Sequence, residues 1–167
     1  MLKFQPIVYN DSDLRAFKYV GTSSCLEGQF VKATSGTSQH IMTATLYNGT
    51  KGSIATVPLA VGSGTVAIFK DQIFPIFREN PDPETVAATI AKNDYVVGFR
   101  MTPGNEFQVH KSVTESGYAS TFTAVGGNVC LGSTGKLTYT GAKNSTGYVV
   151  GICLGTFNAA WVRVRVI

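Results

Sequence analysis

Two histidines, three cysteines and ten carboxylates are the side chains of this 167-residue chain from which catalysis or metal binding would be assembled. His40 precedes Ile41 in a β-branched run, and His110 alternates with Val109 and Lys111. Neither belongs to a zinc-ligand motif of closely spaced His, Cys and carboxylate. Cys25, Cys130 and Cys153 are far apart, form no C-x-x-C, and sit among apolar neighbours, as in Val129-Cys130-Leu131 and Ile152-Cys153-Leu154. They are expected to be buried free thiols acting as small hydrophobes; a Cys130–Cys153 bridge stays open at this level. A glycosidase needs two carboxylates across a sugar bond. The acids cluster at Asp11/Asp13 and at Glu79, Asp82 and Glu84, where a turn and a helix start account for them. No G-x-S-x-G elbow occurs, and Gly62-Ser63-Gly64 and Val125-Gly126-Gly127 lack the strand-to-helix setting of a phosphate cradle. The expectation is a chain with no catalytic residue, metal or cofactor, one that works by holding another surface.

Composition agrees with that expectation. Charged residues are 14% of the chain, against about 25% in average proteins, so Ser, Thr, Asn and Gly finish much of the surface. The net charge of +4 raises the question of nucleic acid. The fourteen Lys and Arg are scattered, however, with no basic run and no aromatic-basic RNA signature. No specific nucleic-acid partner is expected, and a mildly basic surface suits an acidic protein lattice equally well. Met1-Leu2-Lys3-Phe4-Gln5-Pro6 lacks a basic segment leading into an apolar one, so no secretion signal is expected. No apolar stretch has bilayer-spanning length, so no membrane association is expected either. The sequons Asn48-Gly49-Thr50 and Asn144-Ser145-Thr146 read as turns.

The elements that must present any binding residues are mostly strands. The spacing predicts strands at 29–34, 41–47, 54–61, 65–69, 95–101, 106–113, 121–124, 128–131, 136–139, 149–154 and 161–166. Asn48-Gly49 is a hairpin signal, and Thr102-Pro103-Gly104-Asn105 is expected to join 95–101 to 106–113 as a second hairpin. Phe74-Pro75-Ile76-Phe77 is very apolar, but Pro75 cannot donate to a ladder, which suggests an edge or a bend. One short helix is predicted over 83–92, with Asp82 as cap, Pro83 in the first turn and Glu84 complementing the dipole. Many short strands with Gly-rich turns indicate a mainly β chain, a small β-barrel or β-sandwich domain over 21–167.

Residues 1–20 read differently, as an extended N-terminal arm. Phe4, Ile7, Tyr9, Phe17 and Tyr19 are spread among polar residues, with Pro6 and Asn10-Asp11 interrupting. Such an arm either packs on its own barrel or docks on a neighbouring subunit. Near the other end, Trp161-Val162-Arg163-Val164-Arg165-Val166-Ile167 alternates cleanly. The three valines are predicted to face inward, and Trp161, Arg163, Arg165 and Ile167 outward. Trp and Arg are enriched at binding hot spots, which makes Trp161, Arg163 and Arg165 a candidate contact patch.

Gly127-Asn128-Val129-Cys130-Leu131-Gly132-Ser133-Thr134-Gly135-Lys136-Leu137-Thr138 resembles the strand, turn and Gly-Lys-Leu unit of tailed-bacteriophage head decoration proteins, or cement proteins. Val150-Gly151-Ile152-Cys153-Leu154-Gly155 and Val162-Arg163-Val164-Arg165-Val166 stand where that family has its last two strands, and Glu27-Gly28-Gln29-Phe30-Val31-Lys32-Ala33 is similar to its opening strand. The match covers roughly the last forty residues and, loosely, the Gly28 region; residues 40–115 have no counterpart. The resemblance implies a structural virion protein on the outer capsid surface, made in the bacterial host cytoplasm. It would bind the major capsid protein of a tailed phage as a homotrimer and stabilise the head. The arm and the Trp161–Arg165 strand would then be its grips. Alternatives are another virion component, such as a tail or head-fibre protein, or a carbohydrate-binding β module in which Trp161 stacks on sugar rings.

Overall fold

The structure is a computed structural model that describes residues 3–34, 42–47, 56–58, 65–67, 73–78, 89–115, 125–132, 134–139, 149–158 and 160–167. In chain order the strands are β1 (Phe4–Val8), β2 (Leu14–Tyr19), β3 (Cys25–Leu26), β4 (Phe30–Thr34), β5 (Met42–Leu46), β6 (Thr56–Pro58), β7 (Thr65–Ala67) and β8 (Ile73–Phe77). There follow β9 (Thr89–Ile90), β10 (Tyr95–Phe99), β11 (Glu106–His110), β12 (Asn128–Leu131), β13 (Leu137–Tyr139), β14 (Val149–Phe157) and β15 (Trp161–Val166). Single 3-10 turns lie at Asp11–Asp13 and Lys111–Val113. The mainly β expectation holds.

Two sheets carry the architecture. One is six-stranded, in the order β1-β11-β15-β14-β12-β13; the other closes into a five-stranded barrel, β10-β2-β5-β4-β8. β3 pairs with β9 and β6 with β7 in two smaller ladders. The side-chain period of two explains how the large sheets meet. On β8, Phe74 and Ile76 point into the barrel with Phe17, Tyr19, Val31, Met42 and Val96, while Ile73 and Phe77 point toward the six-stranded sheet. Both faces of β8 are therefore buried, which is why Ile-Phe-Pro-Ile-Phe reads as a continuous apolar run. Against the barrel's outer wall the sheet lays Phe4, Phe107, Val109, Val129, Leu131, Val162, Val164 and Val166, all within one core cluster. Phe107 is its aromatic centre, with ring centroids 5.3 Å from Phe4, 5.9 Å from Phe99 and 6.4 Å from Phe30.

Four expectations change. The segment 1–20 is no projecting arm: β1 pairs with β11 in the sheet, and β2 lies between β10 and β5 in the barrel wall. Aromatics spaced two apart, Phe17 and Tyr19, are the inward face of a strand, and both are fully buried. The predicted helix 83–92 lies outside the described residues up to 88, and its end is not helical. Thr89–Ile90 is a strand whose Ile90 is buried opposite Cys25, and Asn93 turns the chain at φ 74°. Tertiary burial of Ile90 has overridden local helical preference. Pro75 sits inside a wall strand rather than at an edge, opposite Phe30 of β4. The Ile76 N–H points to β4, bonding Gln29 O at 3.3 Å, so the Pro75 nitrogen points the other way. There the pairing with β10 reaches only as far as Ile76, so no ladder donor is lost. Finally, β10 and β11 are not a hairpin, because Thr102–Asn105 carries the chain from the barrel to the sheet.

That crossover is held by a buried carboxylate. Asp13, 4% exposed, accepts hydrogen bonds from Thr102 Oγ1 at 2.7 Å and Asn105 Nδ2 at 2.9 Å, and from the Asn10 backbone N–H at 3.1 Å. The Gly-Lys turn between β12 and β13 makes a second tie. Gly135 has φ 75°, and its carbonyl accepts the Phe30 N–H at 2.7 Å. A Cβ there would stand 2.7 Å from Phe30 O, so the position demands glycine twice over, by conformation and by space.

The Asn48-Gly49 turn, the predicted strand at 121–124, both sequons and His40 lie outside the described residues. All three cysteines are free and buried. Val129, Leu131 and Cys153 belong to the core under the sheet, so Cys130, between the first two, faces the other side and is not aimed at Cys153. Burial pushes the Cys25 thiol up to about 12 and raises that of Cys130, which keeps both protonated and unreactive at neutral pH.

Candidate binding face

The outer face of the six-stranded sheet is built by the strand alternation read from the sequence. Val162, Val164 and Val166 are buried; Trp161 and Arg163 are half-buried; Arg165 and Ile167 are exposed. Residues opposite one another across a ladder share a face. One cross-strand row is therefore His110, Trp161 and Phe157. The next brings together Gln5, Gln108 and Arg163, and a third Glu106, Arg165, Ile152 and Asn128.

The centre of this face is a clamp of two arginines on one carboxylate. Arg163 donates from Nε and Nη2 to Glu106 Oε2 at 3.0 and 2.7 Å. Arg165 donates from Nε and Nη2 to Glu106 Oε1 at 3.0 and 2.7 Å. Each oxygen thus takes one planar fork, a geometry a lysine would not supply. The Arg165 guanidinium foremost, and then Arg163, hold the Glu106 carboxyl below its usual range against the opposing effect of burial. The Glu106 side chain is 9% exposed, whereas those of Arg163 and Arg165 are 39% and 54% exposed. The carboxylate is covered and the outer edges of both guanidinium groups meet solvent. With both arginines more than a third exposed, the clamp contributes orientation more than stability.

Either side of the clamp is ordered as well. Gln108 Nε2 donates to Gln5 Oε1 at 2.7 Å. The Trp161 ring stands edge-on to His110, with centroids 5.4 Å apart. His110 Nδ1 accepts the Ser112 N–H at 3.2 Å and lies 3.4 Å from Lys3 Nζ. Burial, with the Lys3 charge second, lowers the pKa of His110, favouring neutral imidazole. Phe157 is 56% exposed. The edge strand β1 is blunted as a template for pairing. Lys3 O bonds to His110 N, which directs the Phe4 and Pro6 backbone groups outward, and Pro6 has no N–H to offer there.

The residues expected at a contact surface separate into two groups. Trp161, Arg163 and Arg165 stand together on this face. Phe4, Phe17 and Tyr19 are core residues of this chain and reach no partner, because each is 1% exposed or less. Ile7 is half-buried, and Tyr9, 40% exposed, rests edge-on against Phe99 at 6.1 Å. Reading the sequence missed Glu106, Gln108 and Phe157. The signal for Glu106 was an acid at the head of a strand whose partner strand carries two arginines, and it becomes usable only once the register is known. Among the described residues no group of three or more His, Cys, Asp or Glu is placed to hold a metal ion. An open cleft of about 340 Å³ lies elsewhere, at the barrel mouth, lined by Tyr19, Thr22, Ser23, Lys32 and Thr45 among others. Among the described residues its lining holds no His, Cys or carboxylate. The sequence matches no protein-family model and no curated protein.

Proposed function

We propose that this chain is a structural virion protein that attaches to the outer surface of a tailed-phage capsid and stabilises the head. The observation that carries the reading is the outer sheet face. There two exposed guanidinium groups, fixed by one covered carboxylate, stand beside Trp161 and Phe157 on neighbouring cross-strand rows. Arg and Trp are the side chains that most often dominate protein interfaces. The resemblance of residues 127–138 and the last two strands to head decoration proteins is what points to the major capsid protein as the partner. A homotrimer would triple the attachment points, so avidity would offset a small single interface. Each bound copy would bridge capsid subunits and raise the free energy needed to separate them.

Co-sedimentation with expanded heads lacking decoration protein tests this reading. The chain is expected to pellet with heads saturably at micromolar concentration. No pelleting at that concentration would remove the capsid reading; pelleting with purified tails instead would assign the chain to the tail, and glycan binding without head binding would make it a carbohydrate module.

A further inference from the structure

We infer that the Arg163–Glu106–Arg165 clamp is a carboxylate-recognition site, and that its ligand is an acidic protein segment carrying an Asp or Glu beside an apolar side chain. The inference rests on the proposed attachment function and names the chemistry by which the partner is gripped. It starts from the donors left over. A guanidinium carries five N–H groups in a rigid fork. Glu106 engages Nε and one Nη2 hydrogen of each arginine, so the remaining edge, with both Nη1 hydrogens, is turned away from it. Two residues apart on β15, the arginines are spaced by roughly 6–7 Å along the strand. Their orientation is fixed before any ligand arrives, which removes much of the ordering cost of binding.

Charge points the same way. Two guanidinium groups face one carboxylate. Among the described residues the clamp therefore carries one positive charge more than Glu106 cancels, and it suits an anion. The excess is local and small. Nucleic acid would call for a longer track of basic residues along its phosphates, and neither Gln5 and Gln108 on one side nor Ile152 and Asn128 on the other provides it. A short acidic segment fits the extent of the charge. The row His110, Trp161 and Phe157 beside the clamp supplies an apolar shelf for the residue next to the acid.

The chain's single tryptophan lies on this shelf, so its emission reports the site directly. Hexaglutamate peptide ending in leucine amide is the probe, titrated into the full chain in low salt. Hexaglutamine-leucine amide and a thymidine oligonucleotide serve as comparisons. The expected result is a saturable change in Trp161 emission with the acidic peptide alone, weakened by salt. In R163Q/R165Q the apparent affinity is expected to fall at least about tenfold. Because that variant leaves Glu106 covered and unpaired, E106Q/R163Q/R165Q, which is neutral throughout, is measured in parallel, with circular dichroism to confirm the β fold. R163K/R165K keeps both charges and loses the forks, and is expected to weaken binding as well.

No response to the acidic peptide, an equal response to the glutamine peptide, or full binding by the folded triple variant would overturn the inference. Stronger competition by the oligonucleotide would do so too and would assign the site to phosphate. Failure here with intact head binding by the same preparation would leave the capsid reading standing on another surface. Peptide binding without head binding would remove the capsid reading and keep the site.

Discussion

A chain that begins at Gly21 is expected to lose cooperative folding altogether. Such a truncation removes β1 from the edge of the six-stranded sheet and β2 from the middle of the barrel wall. With β2 gone, β10 and β5 lose their shared neighbour, five register pairs on one side and three on the other, and the barrel cannot close. Phe4 and Phe17 are 1% and 0% exposed. Truncating one buried phenylalanine to alanine costs about 3–5 kcal/mol, so the two together approach the whole stability of an ordinary domain, about 5–15 kcal/mol. Thermal unfolding followed by circular dichroism checks this: the full chain should give a sigmoidal transition and the truncated chain none. An unchanged transition in the truncated chain would show that residues 1–20 are an appendage after all.

Asp13→Ala is expected to destabilise the chain by about 2–4 kcal/mol, because it strands Thr102 Oγ1, Asn105 Nδ2 and the Asn10 N–H in the junction between barrel and sheet. For a chain of this length that is a fall in Tm of about 4–16 °C. The wild type should also show an acid limb traceable to this group. Burial alone would raise the Asp13 pKa, but hydrogen bonds from Asn105, Thr102 and the Asn10 backbone, with the Arg100 charge, outweigh it and hold the group below its ordinary 3.8. A carboxyl whose folded pKa is depressed binds its proton more readily in the unfolded chain. Its stabilisation is therefore complete above about pH 5, and is lost as the pH falls below about 4 through the folded value. Asp13→Asn should flatten that part of the stability profile. Chemical denaturation between pH 2.5 and 6 measures it, and parallel profiles for both proteins would exclude Asp13 as the source.

The strands that pack one face against a neighbour were legible from the residues alone. Trp161 to Val166 announces its buried and exposed faces by strict alternation, and the strand at 128–131 has the boundaries its turn residues indicate. What local pattern does not encode is which sheet a strand joins. Tyr95–Phe99 and Glu106–His110 flank a good turn and look like a hairpin, yet they belong to different sheets, because Asp13, some ninety residues away in sequence, holds the turn open. The same limit applied to residues 1–20. Pro6 and Asn10-Asp11 break the periodicity, so two strands of one fold looked like a decorated tail. The candidate face was half visible. Its arginines and tryptophan stood out by type and spacing, whereas Glu106, which turns two flexible cations into a fixed pair, comes from another strand and depends on register.

The central claim is that this chain grips its partner with the outer face of the six-stranded sheet. Hydroxyl-radical footprinting of the protein bound to expanded heads tests it most directly, because exposed aromatic side chains mark both surfaces. Phe157 and Trp161 lie on the sheet face, and Tyr95, 64% exposed, lies on the barrel strand β10. Binding is expected to protect Trp161 and Phe157 several-fold and to leave Tyr95 labelling unchanged. Protection of Tyr95 with Trp161 and Phe157 labelled as in the free protein would contradict the account and move the grip to the barrel.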